Sequence, residues 1–180
     1  LLPLDGAEVP GNEPVNPEHL EVLVVVGADG AFDLLEDDGG AGEPTRTPLR
    51  WEQAAGRFTA GPAAASSSSG SAGPAVPGSP SGPGAVPDRR RWTVTFVAAP
   101  DDLAADDGAL AVTVDGAEVP ATVERRHATP QPDGPGARPT TRVSITVDDV
   151  PTSATLAVSV GAAPQVRPND VDPLVFSVLD

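Results

Sequence analysis

The stretch that decides the fold is His19-Leu20-Glu21-Val22-Leu23-Val24-Val25-Val26, followed by Gly27-Ala28-Asp29-Gly30 and then Ala31-Phe32-Asp33-Leu34-Leu35-Glu36. Branched aliphatic residues fit the pleated surface of a strand, and glycines on both sides of Ala28-Asp29 mark a turn between two such runs. The pattern predicts a hairpin. Beyond Glu21 its first strand is apolar on both parities, which predicts a central strand covered on both faces, as a sandwich strand or one at a domain junction would be.

Outward from this stretch the same signal recurs. Thr45-Arg46-Thr47-Pro48-Leu49-Arg50-Trp51-Glu52 alternates, placing Thr47, Leu49 and Trp51 on one face and Arg46, Arg50 and Glu52 on the other. Pro48 cannot donate to a ladder, so this strand is expected at a sheet edge. Residues 91–97 put Trp92, Val94 and Phe96 on one face. Residues 110–114 and 119–123 flank Asp115-Gly116, a hairpin signal because both central residues of a type I′ turn need positive φ. Residues 142–147 and 155–160 read as a second strand pair. The spacing predicts an all-β, antiparallel β-sandwich.

Two segments interrupt that pattern. Residues 60–87 are almost entirely Ala, Ser, Gly and Pro, a composition that buries too little surface to offset its ordering entropy, so a long flexible insertion is expected there. Near the end, Asp172-Pro173 reads as an N-cap and first helical residue, and Val171, Leu174, Val175, Val178 and Leu179 follow helical spacing. A helix beginning within 169–180 is too short to stand alone, so it is expected to continue in a longer parent protein. The start, Leu1-Leu2-Pro3-Leu4, lacks an initiator Met and is likewise read as internal.

Composition narrows the function classes. The formal net charge is −15, with 26 acidic residues against 11 arginines and no lysine; long-range repulsion therefore opposes a nucleic-acid partner. Arg89-Arg90-Arg91 reads as a solvated strand edge in preference to a phosphate patch. No run approaches the roughly 20 apolar residues that span a bilayer, so no membrane partner is expected. The absence of cysteine removes thiolate chemistry and leaves compartment unassigned. His19 and His127 stand far apart without ligand spacing and read as surface or strand-end residues, not a zinc centre.

Candidate site residues are correspondingly few. Asp29, Asp33, Glu36, Asp37 and Asp38 surround one turn and offer oxygens of the kind Ca²⁺ takes. The alternatives are turn-forming and capping carboxylates, or a contact to another domain or subunit. Trp51 and Trp92 are the candidates for stacking on a sugar, but each shares parity with apolar neighbours, which favours core packing. The serine run 66–69 lies in the insertion without a neighbouring base. No nucleophile elbow, phosphate loop or metalloprotease helix occurs.

Residues 16–22, Asn-Pro-Glu-His-Leu-Glu-Val, with residues 27–39, Gly-Ala-Asp-Gly-Ala-Phe-Asp-Leu-Leu-Glu-Asp-Asp-Gly, resemble the C-terminal region of family 31 glycoside hydrolases. There a strand leads into G-x-D/N-G-x-F-x-L-Y-E-D-D-G. Leu1-Leu2-Pro3-Leu4 looks like the end of the preceding proximal sandwich. Pro87-Asp88-Arg89-Arg90-Arg91-Trp92-Thr93-Val94-Thr95-Phe96 is similar to the family's P-x-x-R-x-x-x-V-x-F strand, and Val114-Asp115-Gly116 to its next hairpin. Leu35 stands where the family has Tyr, and residues 60–87 replace a short strand and turn.

The resemblance implies a proximal-domain end and connector at 1–18, a distal β-sandwich at 19–168 and the start of a helix at 169–180. Family 31 enzymes, of the α-glucosidase or α-xylosidase type, carry their two catalytic aspartates on a (β/α)8 barrel, which takes about 250 residues. No catalytic residue is carried over to this chain. The implied role is a non-catalytic accessory domain that requires no cofactor and whose partner is the barrel of its own parent enzyme, with homo-oligomerisation of the parent as a further contact. The alternative is a carbohydrate-binding or adhesion sandwich whose partner is an oligosaccharide.

Overall fold

Trp92, Val94 and Phe96, spaced two apart on one strand, are all buried, as are Val143, Ile145 and Val147 on its neighbour. These two rows form one wall of the core. The computed structural model describes residues 16–37, 44–65, 86–99, 103, 110–127, 141–162 and 164. Among them the chain is all-β, without helix, in two sheets. In chain order the strands are β1 (His19–Val25), β2 (Gly30–Glu36), β3 (Thr45–Glu52), β4 (Arg57–Ala60), β5 (Ala64–Ala65) and β6 (Arg89–Ala99). They continue with β7 (Ala111–Val114), β8 (Ala117–Glu118), β9 (Thr122–His127), β10 (Thr141–Pro151) and β11 (Leu156–Ser159).

The first sheet has the order β1-β6-β10-β9 and the second β2-β3-β4-β11-β7-β8, with β5 paired to β3. All pairs are antiparallel except β1 with β6, which run parallel in register from His19 beside Arg91 to Val25 beside Val97. The sheets share one apolar core. Across it Trp51 of β3 meets Phe96 of β6 edge to face, ring centroids 5.4 Å apart, a favoured aromatic geometry. The result is a β-sandwich.

Several local expectations hold. Thr47, Leu49 and Trp51 are buried while Arg46, Arg50 and Glu52 are exposed, and Asp115 and Gly116, with φ of 49° and 81°, close the β7–β8 hairpin. Others are corrected. The 19–36 stretch is not a hairpin: β1 and β2 belong to different sheets. Gln53 fixes the link between them, its backbone N–H donating to Asp29 Oδ1 and its side-chain Oε1 accepting from the Gly27 N–H, each at 2.7 Å. The link is thus bonded to the β3–β4 turn and carries the chain across the sandwich.

Nor is β1 central. It is an edge strand, and its outward residues Leu23 and Val25 are exposed. Conversely, β3 lies inside its sheet despite Pro48. The β3–β4 ladder ends at Leu49 opposite Ala60 and the β3–β5 ladder begins at Arg46 opposite Ala64, so the missing donor falls at the joint between them. There the Pro48 carbonyl still accepts from the Gly61 N–H at 2.8 Å.

Strands β10 and β11, read as a pair, also lie in different sheets. The segment 119–123 is divided at Val119, Pro120 and Ala121, where the chain leaves β8 for β9 in the other sheet. At the start of the expected insertion, Ala60 is buried in β4 and Ala64–Ala65 pair with β3. Residues 66–85 and the helix expected at 169–180 lie outside the described residues.

Candidate interaction surface

Four large apolar side chains stand exposed among the described residues, and all belong to the first two strands: Leu23, Val25, Phe32 and Leu35, each 57–63% exposed. Their placement follows from the topology, since β1 and β2 are the edge strands of their sheets and are joined by one short link. Between them opens a groove of about 580 Å³, lined by 22–32 and reaching Leu49, Trp51 and Phe58 of the core. Leu23, Val25 and Phe32 lie on its lining and Leu35 does not; an apolar opening between two edge strands is a feature that proteins cover with another surface.

Beside Leu23 and Val25, the rest of the outer face of the first sheet is different in kind. There His19 Nε2 lies 2.9 Å from Thr93 Oγ1, which lies 3.1 Å from Thr146 Oγ1. Beside them Thr95 Oγ1 donates to Glu21 at 2.7 Å and meets Ser144 Oγ at 2.9 Å. Thr93 and Thr95 are buried within this row although they face away from the core. The network links side chains of three strands and satisfies their hydroxyls internally.

The arginine run is not a solvated edge, because β6 is flanked by β1 and β10. Arg89 and Arg91 are exposed and paired with Asp149 and Asp148 of β10. Arg90 points inward: its Nη1 and Nη2 donate to Glu36 Oε2 and Oε1 at 2.8 and 2.5 Å, and both residues are buried. This bidentate pair ties β6 of one sheet to β2 of the other. A charge-assisted fork of this kind is strong and directional, and each charge is tolerated in the core only through the other.

The acidic residues proposed for Ca²⁺ do not converge. Asp29 accepts from the Gln53 N–H, Asp33 from Arg46 at 2.6 Å, and Glu36 from Arg90. Asp37 is exposed, its carbonyl accepting from Asn16, and Asp38 lies outside the described residues. Among the described residues no group of three His, Asp or Glu side chains is placed to hold a metal. The Asp33 carboxylate, by its hydrogen bond first and its charge second, raises the pKa of the Arg46 guanidinium.

Trp51 and Trp92 are 5% and 4% exposed. Trp51 lines the groove but packs on Phe96, with its Nε1–H donating to Gln53 Oε1 at 3.0 Å; neither ring presents a free face to a sugar. No helix among the described residues is long and apolar enough to cross a membrane.

Sequence reasoning missed three features. Gln53 gave no signal, since its role depends on three segments distant in sequence. The Arg90–Glu36 pair joins positions 54 apart, and only the inward parity of Arg90 with Trp92 and Val94 hinted at burial. The exposed edge had a signal, apolar residues on both parities of β1, a pattern that fits a sandwich strand or one at a domain junction. Compared with protein families, with curated proteins and with solved structures, the chain matches none.

Proposed function

We propose that this chain is a non-catalytic accessory domain of a retaining α-glycosidase of the family 31 type, held against the catalytic barrel of its own polypeptide by the β1–β2 edge. The observation that carries the reading is the exposure of Leu23, Val25 and Phe32 along the groove at that edge, where burial against a second apolar surface is favourable at roughly 25 cal/mol per Å². In this reading the parent enzyme hydrolyses terminal α-linked glucosyl or xylosyl residues in carbohydrate metabolism. Its catalytic aspartates reside on the barrel, and the sandwich covers and braces that barrel.

The choice of family is supported by where two of the resembling strings meet. Glu36 stands at the glutamate of the acidic string and Arg90 at the arginine of the P-x-x-R string, and these two side chains are each other's buried partners. A pairing between the charged positions of separate strings gives both strings a common structural reason.

The test is a titration of the purified chain with maltose, isomaltose and xylose-containing oligosaccharides, followed by tryptophan fluorescence, with α-glucosidase and α-xylosidase activity assayed on the same sample. No turnover and no fluorescence shift are expected. Hydrolysis would overturn the reading, and a saturable shift without turnover would favour the carbohydrate-binding module instead.

A further inference from the structure

Every polar side-chain atom buried in a core calls for a partner, and among the described residues two have none: Thr47 Oγ1 and Arg90 Nε. They are not scattered. Both residues line one small cavity between the sheets, beside the buried side chains of Trp92, Val150, Ala154 and Leu156. Its room for a water-sized sphere is about 10 Å³, close to the volume that a single internal water needs.

We propose that this cavity is a binding site for one structural water, which completes the inter-sheet ion pair. The guanidinium uses one N–H of Nη1 and one of Nη2 on Glu36, leaving Nε as its one nitrogen without a partner. A water accepts the Nε hydrogen and donates one of its own to Thr47 Oγ1, reaching two of the two to four partners typical of an internal water. The two unpartnered polar atoms, set in an otherwise largely apolar wall, favour water over an apolar guest. An anion is disfavoured because Glu36 already neutralises Arg90, and a second negative charge would lie beside the same carboxylate.

The consequence is a three-part bridge across the sandwich. Glu36 comes from β2, Arg90 from β6 and Thr47 from β3, so the water joins the guanidinium to a second strand of the opposite sheet. Thr47 is thereby a positioning residue for Arg90, which explains a buried hydroxyl on the same inward row as Leu49 and Trp51.

The experiment is a water-selective NOE and ROE measurement on the Arg90 Nε–H of the full chain, alongside Thr47→Val and Thr47→Ser. A cross-peak to a long-lived water is expected in the unaltered protein and in Thr47→Ser, and its loss in Thr47→Val, which keeps the shape and removes the hydroxyl. A crystal structure to about 1.5 Å or better should show density within hydrogen-bond distance of both atoms. A dry cavity, a direct protein partner for either atom, or a cross-peak undiminished in Thr47→Val would overturn the proposal.

Discussion

Strands β1 and β6 lie side by side in one sheet, yet their sequences and burial run in opposite senses. His19–Val25 carries five aliphatic residues in seven and leaves Leu23 and Val25 in solvent, whereas Arg89–Ala99 carries three arginines and two threonines and buries every residue from Trp92 to Phe96. The position in the sheet decides this. A central strand has neighbours on both sides, so Thr93 and Thr95 are enclosed and hydrogen-bonded by His19, Glu21, Ser144 and Thr146. An edge strand has a neighbour on one side only, and the apolar residues Leu23 and Val25 on its outer face are left in solvent.

Substitution at equivalent depth along the two strands should break the apparent likeness most clearly. Phe96→Ala, which removes a fully buried ring from β6, is expected to lower unfolding free energy by about 3–5 kcal/mol. Leu23→Ala on β1, monitored by urea denaturation of the same chain, should stay within about 0.5 kcal/mol. A comparable loss at both positions would mean that the outer face of β1 is already covered within the chain.

A loss of similar or slightly smaller size is expected from Arg90→Met, about 3–5 kcal/mol, because Glu36 is left as an unpaired buried carboxylate. The double change Arg90→Met with Glu36→Leu should recover most of it, since the desolvation of both charges disappears together. Additive losses in the double-mutant cycle would show that the two side chains do not act as a pair.

Much of the fold was legible because it rests on local pattern. Alternation in Thr45–Glu52, the paired positive-φ turn at Asp115-Gly116 and the apolar rows of β6 and β10 all follow from residue type and a period of two. Sheet membership was not legible. Residues 27–30 read as a hairpin turn, yet whether the chain returns along the same sheet or crosses to the other is settled by Gln53, 24 residues from Asp29. Similarly, Pro48 at an internal position became admissible only because two short partners, β4 and β5, meet beside it. Of the candidate calcium carboxylates, Asp29 sits in the turn that the sequence marks, whereas Asp33 and Glu36 lie within β2 and take their partners from β3 and β6.

Smaller effects sharpen the picture. Gly116→Ala should cost about 1–2 kcal/mol in thermal unfolding, a conformational penalty alone, since φ is 81° and an added Cβ meets nothing within 4 Å. Smallest of all in stability, the double change Leu23→Thr with Val25→Thr should leave the unfolding midpoint nearly unchanged while lowering the binding of an apolar dye such as ANS. Dye binding equal to that of the unaltered chain would locate the accessible apolar surface elsewhere.

The most direct test of the proposed docking through the β1–β2 edge is hydrogen–deuterium exchange of residues 19–36, measured in this chain alone and in the longer polypeptide to which the proposal assigns it. Slower exchange of these two strands in the longer protein, with β10 unchanged, is the expected result. Equal exchange of β1 and β2 in both would contradict the assignment of this edge as the docking surface.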